Sequence, residues 1–312
     1  MKFALFLGCQ IPAHLNQYET STRAVLKRLN VGLVDIKQFN CCGYPVRNLD
    51  LKTFVLFSAR NLALASREKL NLMSLCKCCY GTLKKADHLL KEDSSLRDEV
   101  NTILQKEGLQ YEGDVEVKHL LSVLYHDVGI DPIKEKIEKT FGDLNIATHY
   151  GCHALRPSEI VQFDDPVAPS IFDQLVEATG AKSIYWPTQL ECCGGPLWGV
   201  NDDLSMDLTE KKLTDAKQSG ADYLCAACTY CQIQFDTVQK MMVSKGGANH
   251  HLPSLLYPQL LGLSMGIDGQ TLGLKLNQLP PGDIEDFFVV PEPEEEEEPA
   301  EEEMAVEETV EA

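Results

Sequence analysis

The sequence predicts an α/β protein built from two pseudo-symmetric halves, each with a cysteine-rich motif at the C-terminal ends of its strands. Three observations predict it. One cysteine pattern occurs twice along the chain. Each cysteine group follows a short apolar run rich in β-branched or aromatic residues, the composition of a buried strand. Helical periodicity fills the intervals, and α/β proteins gather functional loops where strands end.

The first copy reads Cys9, then Cys41-Cys42-Gly43, then Cys76-Lys77-Cys78-Cys79. The second reads Cys152, then Cys192-Cys193-Gly194, then Cys225-Ala226-Ala227-Cys228-Thr229-Tyr230-Cys231. From the single cysteine to the pair is 32 positions in one copy and 40 in the other. From Cys42 to Cys76 is 34 positions, and from Cys193 to Cys228 it is 35.

In chain order, residues 2–7 form an apolar run that reads as a buried first strand. The run is too short for an export signal. Residues 22–29 carry a helical pattern, 31–39 a strand pattern ending at the cysteine pair, 51–70 a helix and 70–75 a strand leading into Cys76. Residues 91–143 are polar and rich in Lys and Glu, and read as a helical connector closing an N-terminal half, 1–143. The C-terminal half, 144–290, repeats the scheme with strands at 145–150, 181–190 and 221–224 and a helix at 168–178, closed by 252–282. Residues 291–312 hold twelve glutamates and no Lys or Arg, a composition expected to stay disordered.

Removing those twelve charges from the net −19 leaves −7 on residues 1–290, with no basic face for nucleic acid. No run of about eighteen apolar residues is present, so no membrane span is expected. Twelve cysteines in 312 residues, with vicinal pairs and no export signal, favour metal ligation in a reducing, cytoplasmic setting over a disulfide scaffold.

Structural zinc takes four ligands, often from two Cys-x-x-Cys pairs. Each half offers one such pair used with a vicinal pair and a distant single, one thiol too many, which leaves zinc open only as a rival. Ordinary cubane clusters draw on a compact cysteine run that is absent here. Five thiolates per half suit a different iron–sulfur assembly.

The chain resembles the B subunit of heterodisulfide reductase, whose hallmark is two copies of a CCG motif. The resemblance rests on Gly8-Cys9, Cys41-Cys42-Gly43, Cys76-x-x-Cys79 with Tyr80-Gly81-Thr82-Leu83, Gly151-Cys152-His153, Cys192-Cys193-Gly194-Gly195 and Cys228-x-x-Cys231-Gln232, and it covers roughly residues 1–290. It implies two non-cubane [4Fe-4S] clusters, one on Cys9, Cys41, Cys42, Cys76 and Cys79, the other on Cys152, Cys192, Cys193, Cys228 and Cys231. It implies a disulfide, such as that of coenzyme M with coenzyme B, reduced to two thiols between the clusters.

Cys78 and Cys225 are extra to this pattern. With no ferredoxin run, flavin signature or dinucleotide loop in the chain, electrons are expected from partners. The resemblance implies two heterodisulfide reductase-like partners, a ferredoxin-like C subunit and an A subunit bearing flavin and iron–sulfur centres. His153, beside Cys152, is the expected proton donor, and Arg47, Arg156 and Lys211 are candidate binders of an anionic substrate. The alternative is an electron-transfer subunit of the succinate, fumarate or lactate oxidoreductase type.

Overall fold

A computed structural model describes residues 1–246 and 251–289. The first sheet holds β1 (Lys2–Phe6), β2 (Gly32–Val34), β3 (Leu72–Ser74) and β4 (Val117–His119), all parallel in the order β2-β1-β3-β4. The second holds β5 (Asn145–His149), β6 (Lys182–Ser183), β7 (Tyr223–Ala226) and β8 (Ser254–Leu256), again all parallel, in the order β6-β5-β7-β8. The two halves therefore share one topology. The central strands β1 and β5 are buried at all but their first residue, as a parallel strand covered on both faces must be.

In each sheet the chain leaves the first strand in one direction and later returns to its other side. The crevice at that switch, outside the strand C-termini, is where such sheets bind ligands. Single cysteine, vicinal pair and Cys-x-x-Cys each follow one of the three strands around it. Helices Leu51–Arg67 and Asp202–Gln218, of equal length, bridge the second and third strands in their halves. Each starts at a side-chain cap: Asp50 accepts from the Thr53 amide at 2.8 Å, and Asn201 from the Leu204 amide at 3.1 Å.

Three expectations differ from this fold. Residues 91–143 do contain the helix Ser94–Leu104, but they also supply β4, so the segment is integral to the first sheet and more than a connector. The strands expected at 31–39 and 181–190 are only the short edges β2 and β6. Beyond β6 the chain leaves the sheet so that Trp186, fully buried, donates from Nε1 to the Thr148 carbonyl at 3.0 Å. The acidic segment 291–312 lies outside the described residues.

The halves lock together through apolar surface. The C-terminal helix Tyr257–Ser264, buried throughout, packs on the helix Asn16–Arg28 of the first half. The helix Lys77–Glu92 packs on the short helices Cys152–Leu155 and Ser158–Val161, and the Tyr80 hydroxyl donates to the Val161 carbonyl.

Candidate metal centre

The Cys-Cys-Gly loops owe their shape to the glycine. Gly43 and Gly194 sit at φ of 93° and 87°, a region costly for any residue with a Cβ. A Cβ would also stand 2.8 Å from the Phe54 carbonyl oxygen at the first and 2.5 Å from that of Ser205 at the second. The loop therefore presses onto the backbone of the following helix. Ser58 donates to the Cys42 carbonyl at 2.6 Å and Thr209 to that of Cys193 at 3.1 Å, holding both buried cysteines in matching positions.

The third cysteine group is set by the end of the third strand. In the first half the Leu75 carbonyl, one residue before Cys76, accepts from Tyr18 Oη at 2.6 Å and His119 Nε2 at 3.2 Å. His119 Nδ1 accepts from the Leu121 amide at 3.2 Å, which fixes its tautomer and keeps it neutral. Cys76 and Cys228 each stand directly before a helix, and their sulfurs are 3.9 Å apart across the junction of the halves.

Two matching hollows result. The first, of about 270 Å³ between side-chain atoms and open in part to solvent, is lined by Cys9, Cys41, Cys42, Cys76 and Cys79. The second, of about 260 Å³, is lined by Cys152, Cys192, Cys193, Cys228 and Cys231. Each hollow thus gathers the five cysteines expected for its half. Cys78 and Tyr230 line both, so the hollows adjoin. Their walls are exchanged: Lys77 and Cys78 of the first half line the second hollow, and Thr229 and Tyr230 of the second half line the first.

None of the twelve cysteines forms a disulfide. The thiols of each hollow interact strongly. Contacts with Cys42 and Cys9 pull Cys41 down, and contacts with Cys152 and Cys193 pull Cys192 down, while Cys9, Cys42, Cys152 and Cys193 are pushed up. The Gly194 and Gly195 amides point at the Cys192 and Cys193 sulfurs, at 3.5 and 3.4 Å. A donor set of crowded sulfurs beside backbone N–H groups fits an iron–sulfur cluster, the group that soft thiolates select along with zinc. The sulfurs of Cys76, Cys78 and Cys228 lie within 4.8 Å of one another and come from both halves. This marks how close the two hollows are, since Cys76 and Cys228 belong to different hollows.

Cys225 lies within β7, buried in the core, and lines neither hollow, which accounts for its absence from the motif. Cys78 is different. Its sulfur lies 4.0 Å from Cys228 Sγ and 3.4 Å from His153 Nδ1, which also lies 3.4 Å from Cys152 Sγ. Burial, then the charge of Arg47, pushes the His153 pKa down. The Tyr44 ring stands edge-on to His153 at 5.2 Å and meets Tyr230 at 5.5 Å, and the Arg47 guanidinium sits 4.3 Å above Tyr44. Of the candidate anion binders, only Arg47 is at this junction. Lys211 is paired with Glu191 at 3.0 Å in solvent, and Arg156 is exposed.

Sequence reasoning passed over Lys77, Lys212 and His149. Both lysines are 1% exposed and His149 is equally buried. Lys77 Nζ lies 3.4 Å from the His149 carbonyl oxygen and 4.8 Å from the centre of the Phe172 ring. Lys212 donates to the Thr188 carbonyl and sits 4.5 Å over Trp186. Burial pushes both lysines down to about 8, and the charge of second-half cysteines opposes that shift. A lysine between two cysteines was the only available signal.

A cysteine-rich domain model, CCG, matches residues 3–84 and 146–236. The chain is 35% identical over 280 residues to the B subunit of the ferredoxin:CoB-CoM heterodisulfide reductase of Methanosarcina mazei, across 88% of this chain and 93% of that protein. The chain belongs to the family of the heterodisulfide reductase B subunit. Another similar protein, from Archaeoglobus profundus, is described as like that same B subunit and is 34% identical over 86% of this chain and 92% of its own. The 8-methylmenaquinol:fumarate reductase membrane anchor subunit of Wolinella succinogenes is 31% identical over 88% of this chain and 96% of that one. A crystal structure of a hypothetical protein from Helicobacter pylori shares the fold of this heterodisulfide reductase family member, with TM-score 0.71 and 20% identity over 89% of this chain and 52% of that one. Among the described residues no helix is long and apolar enough to cross a membrane.

Proposed function

We propose that this chain is the disulfide-reducing iron–sulfur subunit of a cytoplasmic oxidoreductase complex, acting on a small disulfide such as that of coenzyme M with coenzyme B. The observation that supports this reading is the adjacency of the two five-cysteine hollows, which share Cys78 and Tyr230. Cleaving one S–S bond to two thiols consumes two electrons and two protons. When bound, each non-cubane [4Fe-4S] cluster supplies one electron. Cys9, Cys41, Cys42, Cys76 and Cys79 would hold the first, and Cys152, Cys192, Cys193, Cys228 and Cys231 the second.

The chain's own side chains do the rest. Tyr44, Tyr230 and His153 surround the junction and orient the substrate there. Arg47 supplies positive charge for an anionic substrate. His153, with Nδ1 3.4 Å from the Cys78 and Cys152 sulfurs, delivers a proton to a nascent thiolate. Electrons come from a ferredoxin-like C subunit and a flavin-bearing A subunit. The halves 1–143 and 144–290 act as one unit in this scheme.

The test is anaerobic incubation of the purified complex with a reduced donor and a heterodisulfide, with quantitation of both thiols. Equal release of the two thiols is expected, and His153→Gln should keep its iron while releasing thiol on the order of a hundredfold more slowly, the low end of the usual range for a lost acid–base group. Absence of thiol from an iron-replete complex would sink the reading. The similarity to the Wolinella fumarate reductase protein favours a second reading, a relay that passes electrons without touching a disulfide. The same incubation identifies it by electron transfer to a quinone or dye without thiol.

A further inference from the structure

The two hollows are built alike in sulfur and unlike in charge. No lining residue of the first is Lys, Arg or His. Lys77 lines the second, a His149 ring nitrogen lies beside two of its sulfurs, and Lys212 stands one turn along the helix whose Thr209 holds the Cys193 carbonyl; each of the three has a pseudo-symmetric counterpart that is neutral. Lys77 follows the first cysteine of its Cys-x-x-Cys and reaches the second hollow; its counterpart, Thr229, reaches the first and places Oγ1 2.8 Å from Cys76 Sγ. Lys212 occupies the same place in its helix as Asn61 in the equal-length helix of the first half. Asn61 spends its amide on backbone groups of Asn40 and Cys41. His149 ends β5 where Phe6 ends β1.

His149 is also unspent. Neither ring nitrogen has a hydrogen-bond partner of normal geometry among the described residues, and the Gln189 backbone is its nearest polar neighbour. A ring nitrogen lies within 4.8 Å of the Cys193 and Cys231 sulfurs. An orphaned buried imidazole is costly without a partner, and a cluster sulfur is an acceptor in the right place. Arg47 does not even out the difference, because it stands at the junction and is open in part to solvent.

Resting on the cluster reading above, we infer that Lys77, Lys212 and His149 make the second-half cluster the higher-potential centre, the one that accepts the first electron and holds it. Reduction adds negative charge. Buried cations and N–H donors stabilise that charge strongly where the dielectric is low. The first cluster, with Thr229, Asn61 and Phe6 in the matching places, lacks that compensation. The lower-potential centre is then the stronger reductant, so electrons arriving there run toward the second half.

The test is a redox titration of the iron-loaded full chain followed by EPR. Two separated potentials are expected in the unaltered protein. Lys212→Asn, which copies the first half, should lower the higher one alone, by a factor of at least about ten in the reduction equilibrium, or about 59 mV for one electron. His149→Phe should move the same centre in the same direction, and provides the reading where Lys212→Asn loses iron. Coincident potentials in the unaltered protein overturn the inference, as do unmoved potentials in an iron-replete variant. Zinc in place of iron overturns both this inference and the function beneath it. Separated potentials in a protein that makes no thiol overturn the function alone.

Discussion

At the scale of single residues, the glycine of each Cys-Cys-Gly carries as much of the site as the cysteines do. Gly194 combines a positive φ with a 2.5 Å approach between a would-be Cβ and the Ser205 carbonyl. Gly194→Ala is expected to cost on the order of 1–3 kcal/mol in strain and to swing Cys192 and Cys193 away from their partners. The measurement is iron content per chain together with the Tm of the loaded protein. A variant with full iron and an unchanged Tm would show that the loop tolerates the side chain. The motif marked this glycine; the reason for it, contact with the helix behind, could not be read before the helix was placed. His149 and Lys212 illustrate the opposite case. In the sequence they are a histidine in a strand and a lysine in a polar helix, types normally found in contact with water.

At the scale of elements, His119 couples β4 to the loop that carries Cys76. Burial lowers its pKa from 6.5 to about 3. The unfolded chain therefore binds a proton that the folded one refuses between those values. The stability this group contributes is complete above about pH 6.5 and falls as the solution is acidified toward about pH 3, by up to about 1.4 kcal/mol per pH unit. Urea midpoints at pH 7 and pH 5 should show a larger loss for the unaltered protein than for His119→Asn, whose side chain does not titrate. Equal losses would mean that His119 is not the acid-sensitive group.

The same element shows where sequence patterning stops. β4 is three residues, Val117, Lys118 and His119, within a polar stretch, and only its pairing with β3 makes it a strand. Runs 2–7, 51–70 and 145–150 were legible because their buried faces are long enough to impose a period.

For the molecule as a whole, the repeat in the cysteines was enough to expect two similar halves, and the two sheets have the same strand order. What no repeat could disclose was that the walls of the hollows are exchanged between them. Spacing along the chain records which sulfurs belong to one copy, and carries nothing about which residues of the other copy close the site. It follows that residues 1–143 produced alone should fail to keep their cluster, because Thr229 and Tyr230 are missing from the hollow and the helix Tyr257–Ser264 from the core. Iron analysis after anaerobic reconstitution of this fragment should give well under half the iron of the full chain. A fragment that retains half would mean that the first hollow closes by itself.

The exchange of Lys77 and Cys78 for Thr229 and Tyr230 also bears on how such a gene can change. Once a duplicated segment lends part of itself to its twin, neither copy is free to drift as a private experiment. A codon altered in one repeat is felt in the chemistry of the other, so the two must diverge in step, each as the other's environment.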